Sequence, residues 1–487
     1  MPPSVERFQL APGFTISRAI TGLWQVADME RDGRPLDTAG TASAMAPYVE
    51  AGLTTFDMAD HYGSAELIAG DFRATHQSGG ACQLLTKWVP EPGPVTREQV
   101  RAAVSRACER LRTDRIDLMQ FHAWRYSHPA WLDALTWLQE LKAEGLIGQL
   151  GVTNFDTAHL RIAVRSGIEL VSNQVSGSLL DRRASGRMAE FCSANGVAIL
   201  AYGTLAGGFL SDRWVGVPEP AASALTTWPQ MKYRRFIGAA GGWGAYQHVL
   251  TVAQEVARRL GVPLASVATR YVLEQPAVGA VIIGARLGQR SHVEETVRLF
   301  DFALDDESRA MLDEAVATLR PIPGDCGDEY RRPPYLTAAG DLSHHLREFP
   351  SPYPVLSDEQ GRQRAFSGTM WEDLAGFSRA VRTRKRVLVS GTTATHGTRC
   401  IGGWDAAAQA HFVIDKVEGA LESLGASLAD VVRTRVFVKR MADWETVARA
   451  HGERFAGIQP ANTLVQADLV GDDYLVEIEA DAEVTGE

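Results

Sequence analysis

The chain has 487 residues, 45% hydrophobic and 22% charged, with a formal net charge of −10. That length exceeds one ordinary core and predicts two or three domains, while the acidic balance excludes a general electrostatic attraction to nucleic acid or an anionic membrane. The amino terminus, MPPSVERFQLAPG, lacks the apolar core of a secretory signal and no run approaches the roughly 20 apolar residues of a spanning helix, so a cytoplasmic protein is expected.

From residue 18 short apolar segments alternate with helical patterns. RAITGLWQV, TTFDMA, CQLLTKWV, RIDLMQFHA, IGQLGVTNF, LVSNQVSGS, AILAYGTL and AVIIGA read as strands, and amphipathic stretches such as TREQVRAAVSRACERLR and WLDALTWLQELKAEG separate them. Strands that are apolar throughout and alternate with helices imply a parallel sheet covered on its outer side. Eight such units in about 300 residues imply an α/β chain closed into a (β/α)8 barrel. The rival, an open doubly wound sheet, has no GxGxxG turn to support it.

After Leu319 the texture changes: RPIPGDCGDEYRRPPYLTAAG is rich in Pro, Gly and charge and reads as a linker. From about Phe349 a new pattern begins, with strands KRVLVSGTTAT, VVRTRVFVK, NTLVQADLV and DYLVEIEADA and two intervening amphipathic helices. The expected organisation is a barrel over 1–320, a linker over 321–348 and a smaller α+β domain over 349–487. Cys82, Cys108, Cys192, Cys326 and Cys400 are scattered and form no CxxC pair, so neither a disulfide framework nor a cysteine zinc site is expected.

In a (β/α)8 barrel the chemistry sits at the carboxyl ends of the strands. Asp57 and Tyr62 follow the second strand, Lys87 ends the third, His122 the fourth and Asn154 the fifth, with Gln174 on the sixth and Tyr202 on the seventh. Singly each has an ordinary structural explanation: a lysine can snorkel, a histidine can be a satisfied core residue. An acid, a phenol, an ammonium and an imidazole converging on one face instead point to a catalytic site. A carbonyl that receives hydride needs a proton donor. Tyr62 supplies one, Lys87 beside it stabilises the phenolate, Asp57 keeps the ammonium charged and aimed, and His122 orients the carbonyl oxygen.

DMADHY, LLTKW, MQFH and GVTNF together resemble, in order and spacing, the aldo-keto reductase superfamily over roughly residues 10–320. The resemblance implies a barrel that binds NADP(H) in extended form. It implies that Thr153, Asn154 and Gln174 hold the carboxamide and that Tyr202 stacks on the nicotinamide. GTLAGGFLS is similar to the family's pyrophosphate-covering segment, with Leu205, Gly207 and Leu210 as contacts. IIGARLGQRSHVEET resembles its adenosine-phosphate segment, placing Arg286 on the 2′-phosphate and His292 and Glu295 near the adenine. That segment is slightly longer than the commonest pattern and carries Thr296 where Asn is usual. Trp24, Trp88 and Trp124 are candidates to wall an apolar substrate pocket, and the loop from Asp212 to Gly244 is expected to shape specificity.

RVLVSGTTAT, EGALESLGASLADVVRTRVFV, PANTLVQADL and YLVEIEADA resemble the Rid/YjgF family. That resemblance implies a chorismate-mutase-like trimer with clefts between subunits, and some members hydrolyse imines. Asn462 stands where the deaminating members carry an arginine, and a neutral amide cannot grip a carboxylate as a guanidinium does. Glu477 matches the cleft glutamate. The domain is therefore read as an assembly or ligand-binding module, making the chain a homotrimer or a multiple of three. The competing readings are a Schiff-base aldolase using Lys87 and a cofactor-sensing module without turnover. Every candidate catalytic and cofactor residue precedes Arg320, so a chain ending there is expected to keep the reductase site.

Overall fold

The structure is a computed structural model that describes residues 5–30, 33–333, 335 and 350–485. Strands β1 (Arg7–Ala11) and β2 (Phe14–Ser17) form an antiparallel hairpin. Eight strands follow: β3 (Ala19–Gly22), β4 (Thr55–Asp57), β5 (Gln83–Trp88), β6 (Ile116–Phe121), β7 (Ile147–Thr153), β8 (Ser172–Ser176), β9 (Ala198–Tyr202) and β10 (Val278–Gly284). They pair in parallel and close into a barrel in which β10 returns to β3. The first strand is shorter than its apolar run, because Trp24–Met29 turns into a short helix after Leu23.

Alternation along each strand divides the barrel into two apolar layers. One side chain in two faces the surrounding helices and joins the large outer core, to which Phe56, Leu84, Trp88, Phe121 and Val152 belong. The others face inward. Ile20, Leu85, Leu118, Leu200 and Ile282 fill the floor of the barrel, and Leu10 and Ile16 of the hairpin pack against them. One inward step higher the residues become polar: Asp57, Lys87, Gln120 and Gln174, all buried. The site is therefore built on an apolar plug.

The carboxyl-terminal unit is a separate mixed sheet with strands β11 (Val355–Ser357), β12 (Gln363–Ala365), β13 (Ala380–Thr383), β14 (Arg386–Thr393), β17 (Val431–Val438), β18 (Ala461–Gln466) and β19 (Val476–Glu483). A small hairpin, β15 (Thr395–His396) with β16 (Arg399–Cys400), stands beside it. Four of these strands coincide with the apolar runs legible in the sequence; β11 to β13 span three or four residues each. Helices Ala406–Ser423 and Trp444–Phe455 cover the face that carries Val436, Val438, Ile478 and Ala480. Much of the segment read as a linker lies outside the described residues. Among the described residues no helix is long and apolar enough to cross a membrane.

Helix Ala406–Ser423 is buried on nearly all sides because it is shared: one face packs on its own sheet, the other on the barrel helix Thr157–Arg165. At Gly419 a Cβ would stand 2.3 Å from the Ser127 carbonyl oxygen, so glycine is what lets the helix approach the barrel. Polar contacts surround this seam. Ser127 donates to Glu422 at 2.6 Å, Arg161 pairs with Asp405 at 3.0 Å, and His396 meets Asp133 at 2.9 Å. At its centre Asp156 caps helix Thr157–Arg165 through the His159 amide at 2.8 Å and also holds His159 Nδ1 at 2.7 Å. His159 Nε2 in turn meets Asp415 of the second unit at 3.0 Å, and Arg454 closes the cluster on Asp415 at 2.6 Å.

Burial alone would push His159 down, but the Asp156 and Asp415 carboxylates outweigh it and hold the imidazole up at about 9. A pKa raised on folding contributes stability that is complete below the unfolded value and lost as pH rises through the folded one. The window therefore runs from about 6.5 to about 9, and the contribution is on the order of 3 kcal/mol. Lys416 of the second unit, held down at about 7 by burial, gains stability over the same range, so the difference between two chains is what reports His159. His159→Gln, which leaves Asp156 facing Asp415 without the cation, should be less stable than wild type at pH 6.5, and the gap between the thermal midpoints should close as pH rises to 9. A gap that stays constant from pH 6.5 to 9 would contradict the buried imidazolium.

Candidate active site

Strand-end geometry gathers the candidate residues at one mouth. Lys87 reaches from β5 toward the end of β4 to donate to Asp57 Oδ2 at 2.6 Å and to the Met58 carbonyl at 2.8 Å. The other oxygen of Asp57 accepts Gln174 Nε2 at 2.7 Å and Gln120 Nε2 at 3.1 Å. Burial pulls the Lys87 ammonium below the ordinary lysine range while Asp57 opposes it. The carboxylate is thus what makes a buried cation tenable.

Tyr62 lies in the loop after β4, its ring centroid 5.0 Å from Lys87 Nζ and edge-on to Trp24 at 4.7 Å. Burial first, and then the Asp57 charge, push the phenol well above its usual value. The expectation that Lys87 brings this phenol down is not met in this arrangement, because the ammonium is already matched to Asp57 at 2.6 Å. Tyr62 accordingly stays protonated well into the alkaline range. His122 follows β6, its Nδ1 3.4 Å from the Thr153 carbonyl and its ring edge-on to Trp124 at 4.5 Å.

At the end of β7 Thr153 donates its hydroxyl to the Gln174 carbonyl at 3.0 Å. Asn154 takes a left-handed backbone, φ 58°, which an asparagine tolerates better than most side chains. Its Oδ1 accepts the Tyr202 hydroxyl at 2.7 Å. Gly207 has φ 65°, and a Cβ there would press on the Pro229 backbone at 2.8 Å. Leu205 is half-buried beside it, whereas Leu210 is fully buried in the outer core, so only its backbone can face a ligand. Arg286, with 35% of its side chain exposed, makes a long 3.5 Å contact to Asp28 beyond β10. His292 and Glu295 pair with each other on the following exposed turn.

Of the three tryptophans, Trp24 packs on Tyr62 and, at 5.5 Å, on Trp228 from the long loop. Trp124 borders His122 and donates to the Pro90 carbonyl at 2.7 Å. Trp88 does not reach the mouth: it follows inward-facing Lys87, so the alternation turns it out against Phe121 at 5.5 Å. In the second unit Asn462 bonds Thr434 at 2.9 Å on the helix-covered side. Glu477 pairs with Phe437, an odd number of positions away, and so faces the opposite side of the sheet. Within one chain these two do not share a cleft. Burial and Glu479 push the Glu477 carboxyl up, with Arg379 opposing.

The sequence reading missed several residues. Gln120 is the inward polar residue of LMQFH, two positions before His122, and that parity was its signal. Lys232 comes from helix Trp228–Ala239 of the long loop and bonds the Tyr330 hydroxyl at 2.7 Å. Glu329, Tyr330 and Arg331 belong to GDEYR, inside the segment read as a linker, which forms a short helix Asp328–Arg331 over the mouth. Glu329 pairs with buried Arg183 at 2.8 Å, itself paired with Asp181 at 2.8 Å. Tyr330 stands 5.9 Å from the His122 ring. A chain ending at Arg320 would lose all three, so the mouth is not complete at that point.

Residues 19–317 match the model of the aldo/keto reductase family, and residues 370–484 match the model described as endoribonuclease L-PSP, the Rid/YjgF group. An uncharacterised protein of Streptomyces coelicolor is 36% identical over 121 residues, covering 25% of this chain and 90% of its own length. Protein tas of Escherichia coli is 28% identical over 278 residues, covering 49% of this chain and 78% of its own. The solved glycerol dehydrogenase of Gluconobacter oxydans, 24% identical, superposes with a TM-score of 0.55 over 67% of this chain and 98% of that one, a likeness of fold.

Proposed function

The chain belongs to the aldo/keto reductase family, and on that footing we propose that it is an NADP(H)-dependent cytoplasmic oxidoreductase interconverting a carbonyl and an alcohol, with Tyr62 as proton donor. The observation that carries the reading is the placement of Lys87 between the Asp57 carboxylate, 2.6 Å away, and the Tyr62 ring, at 5.0 Å, at the carboxyl end of a closed barrel.

The donor set suits a nicotinamide carboxamide. The internal network engages Asn154 Oδ1 and Gln174 Nε2, which leaves a donor, Asn154 Nδ2, and an acceptor, Gln174 Oε1, on the two amides. Tyr202 would face the ring, the backbone of Leu205, Gly207 and Leu210 the pyrophosphate, and Arg286, His292 and Glu295 the adenosine phosphate. When bound, the dinucleotide supplies or accepts the hydride. Tyr62 then gives its proton to the carbonyl oxygen, a favourable transfer because an alkoxide is a far stronger base than a phenolate. Lys87 is the cation that faces the Tyr62 ring, Asp57 keeps that lysine charged in a dry site, and His122 fixes the carbonyl oxygen.

The second unit is proposed as an assembly module that makes the protein a trimer or a multiple of three. The barrel docks on its helical side, and the opposite sheet face stays open, with Leu388 39% and Val465 42% exposed.

Tyr62→Phe should lower turnover about 100- to 10,000-fold with NADPH affinity preserved, since only the proton donor is lost; near-normal turnover would remove the acid role. Arg286→Ala should weaken NADPH more than NADH, because the ion pair is specific to the 2′-phosphate, and equal losses would sink the cofactor assignment. Light scattering on the full chain should report three subunits or a multiple of three; a single-chain mass contradicts the assembly proposal.

A further inference from the structure

Lys232 is buried, yet its nearest carboxylate oxygen, on Glu329, is 4.0 Å away, beyond hydrogen-bond reach. Its ammonium is instead surrounded by rings, with centroids at 4.6 Å for Tyr330, 4.7 Å for Tyr202, 5.3 Å for Tyr233 and 5.4 Å for Phe236. It donates to the Tyr330 hydroxyl at 2.7 Å and directly to the Tyr202 hydroxyl at 3.3 Å. An ammonium can only donate, which sets the direction of everything downstream. The single O–H of Tyr202 donates to Asn154 Oδ1 at 2.7 Å, so in the 3.2 Å contact between the two hydroxyls Tyr330 is the donor. The result is a one-way chain, Lys232 to Tyr330 to Tyr202 to Asn154, anchored on a charge at one end.

The backbone of Asn154 is gripped by the same segment that supplies Tyr330. Arg331 Nη1 donates to the Asn154 carbonyl at 2.6 Å, and Arg331 Nε donates to the Ala123 carbonyl. Gly327, at φ +85°, lies so close that a Cβ would stand 1.9 Å from the Asn154 carbonyl oxygen. A left-handed asparagine and the orientation of its carboxamide are thus both fixed from residues 327–331, which lie beyond the 19–317 span matched by the reductase family model.

We propose that Lys232 and Tyr330 are positioning residues for the nicotinamide end of the cofactor site: they orient Tyr202 and hold the Asn154 carboxamide with its nitrogen toward the ring's carboxamide oxygen. This rests on the reductase reading above. It adds to it a part of the site that the region between the two folded units contributes.

The test compares two ligands on the full chain. NADPH reports the whole cofactor site, and 2′,5′-ADP reports only its adenosine end. Tyr330→Phe keeps the ring and deletes one of the two links to Tyr202, leaving the direct 3.3 Å bond from Lys232; Lys232→Met keeps the stem in its aromatic cage and deletes the charge and both bonds it donates. Lys232→Met should weaken NADPH about 10-fold and Tyr330→Phe by less, both altering the fluorescence of bound NADPH, while 2′,5′-ADP affinity stays at the wild-type value. If either variant binds NADPH as tightly as wild type, or loses NADPH and 2′,5′-ADP equally, the relay is overturned and the reductase reading survives. If the wild-type chain binds neither NADPH nor NADH, that reading fails and the relay with it.

Discussion

The arrangement depends on one costly interaction: an ammonium and a carboxylate, Lys87 and Asp57, are both removed from water at the centre of a barrel. Such a pair costs several kcal/mol per ion in lost hydration, and the attraction offsets this only when the remaining donors and acceptors are satisfied. That requirement accounts for the neighbours. Asp57 takes the two amides of Gln120 and Gln174 in addition to Lys87, and Lys87 takes the Met58 carbonyl. It accounts as well for the layering of the barrel, where Leu85 and Lys87, or Leu118 and Gln120, differ by one inward step and change from plug to site. A phenol set against this nearly neutral pair stays protonated, which is the state a proton donor needs.

A second dependence runs outward. The GDEYR turn inserts Glu329, Tyr330 and Arg331 into contacts with residues that end or follow four consecutive barrel strands: Ala123, Asn154, Arg183 and Tyr202. Arg331 also lies 4.6 Å from the Tyr126 ring, which stacks on His159 at 3.4 Å, and His159 meets Asp415 of the second unit. The path from the helix Ala406–Ser423 of the second unit to the mouth is therefore a run of direct contacts between buried groups. The two folded units are joined by more than covalent linkage.

The barrel was legible because strands buried on both faces become unbroken apolar runs, and eight of them alternate with amphipathic helices. The candidate catalytic groups were legible because polar side chains at the carboxyl ends of such runs have no packing reason to be there. What stayed hidden had local patterns that mislead. GDEYR lies in a stretch dense in Pro, Gly and charge, and composition cannot say that its charges are buried against a barrel. Lys232 sits in a loop whose helix, Trp228–Ala239, has a half-exposed pattern. Trp88 was misread for a simpler reason: neighbours in a strand face opposite ways, so a residue next to Lys87 points away from the site. Strands β11 to β13 are too short to show alternation at all.

The central claim is that this mouth moves a hydride between a nicotinamide and a carbonyl carbon, with Lys87 serving as a charge and never as a nucleophile. Incubation of the full chain with NADPH deuterated at C4, on one face and then on the other, against a panel of aldehydes and ketones, tests it directly. The account predicts an alcohol carrying deuterium on the former carbonyl carbon, delivered from one face only, and no adduct at Lys87 on treatment with borohydride. Product without deuterium from either face, or a reduced Schiff base trapped on Lys87, would contradict it.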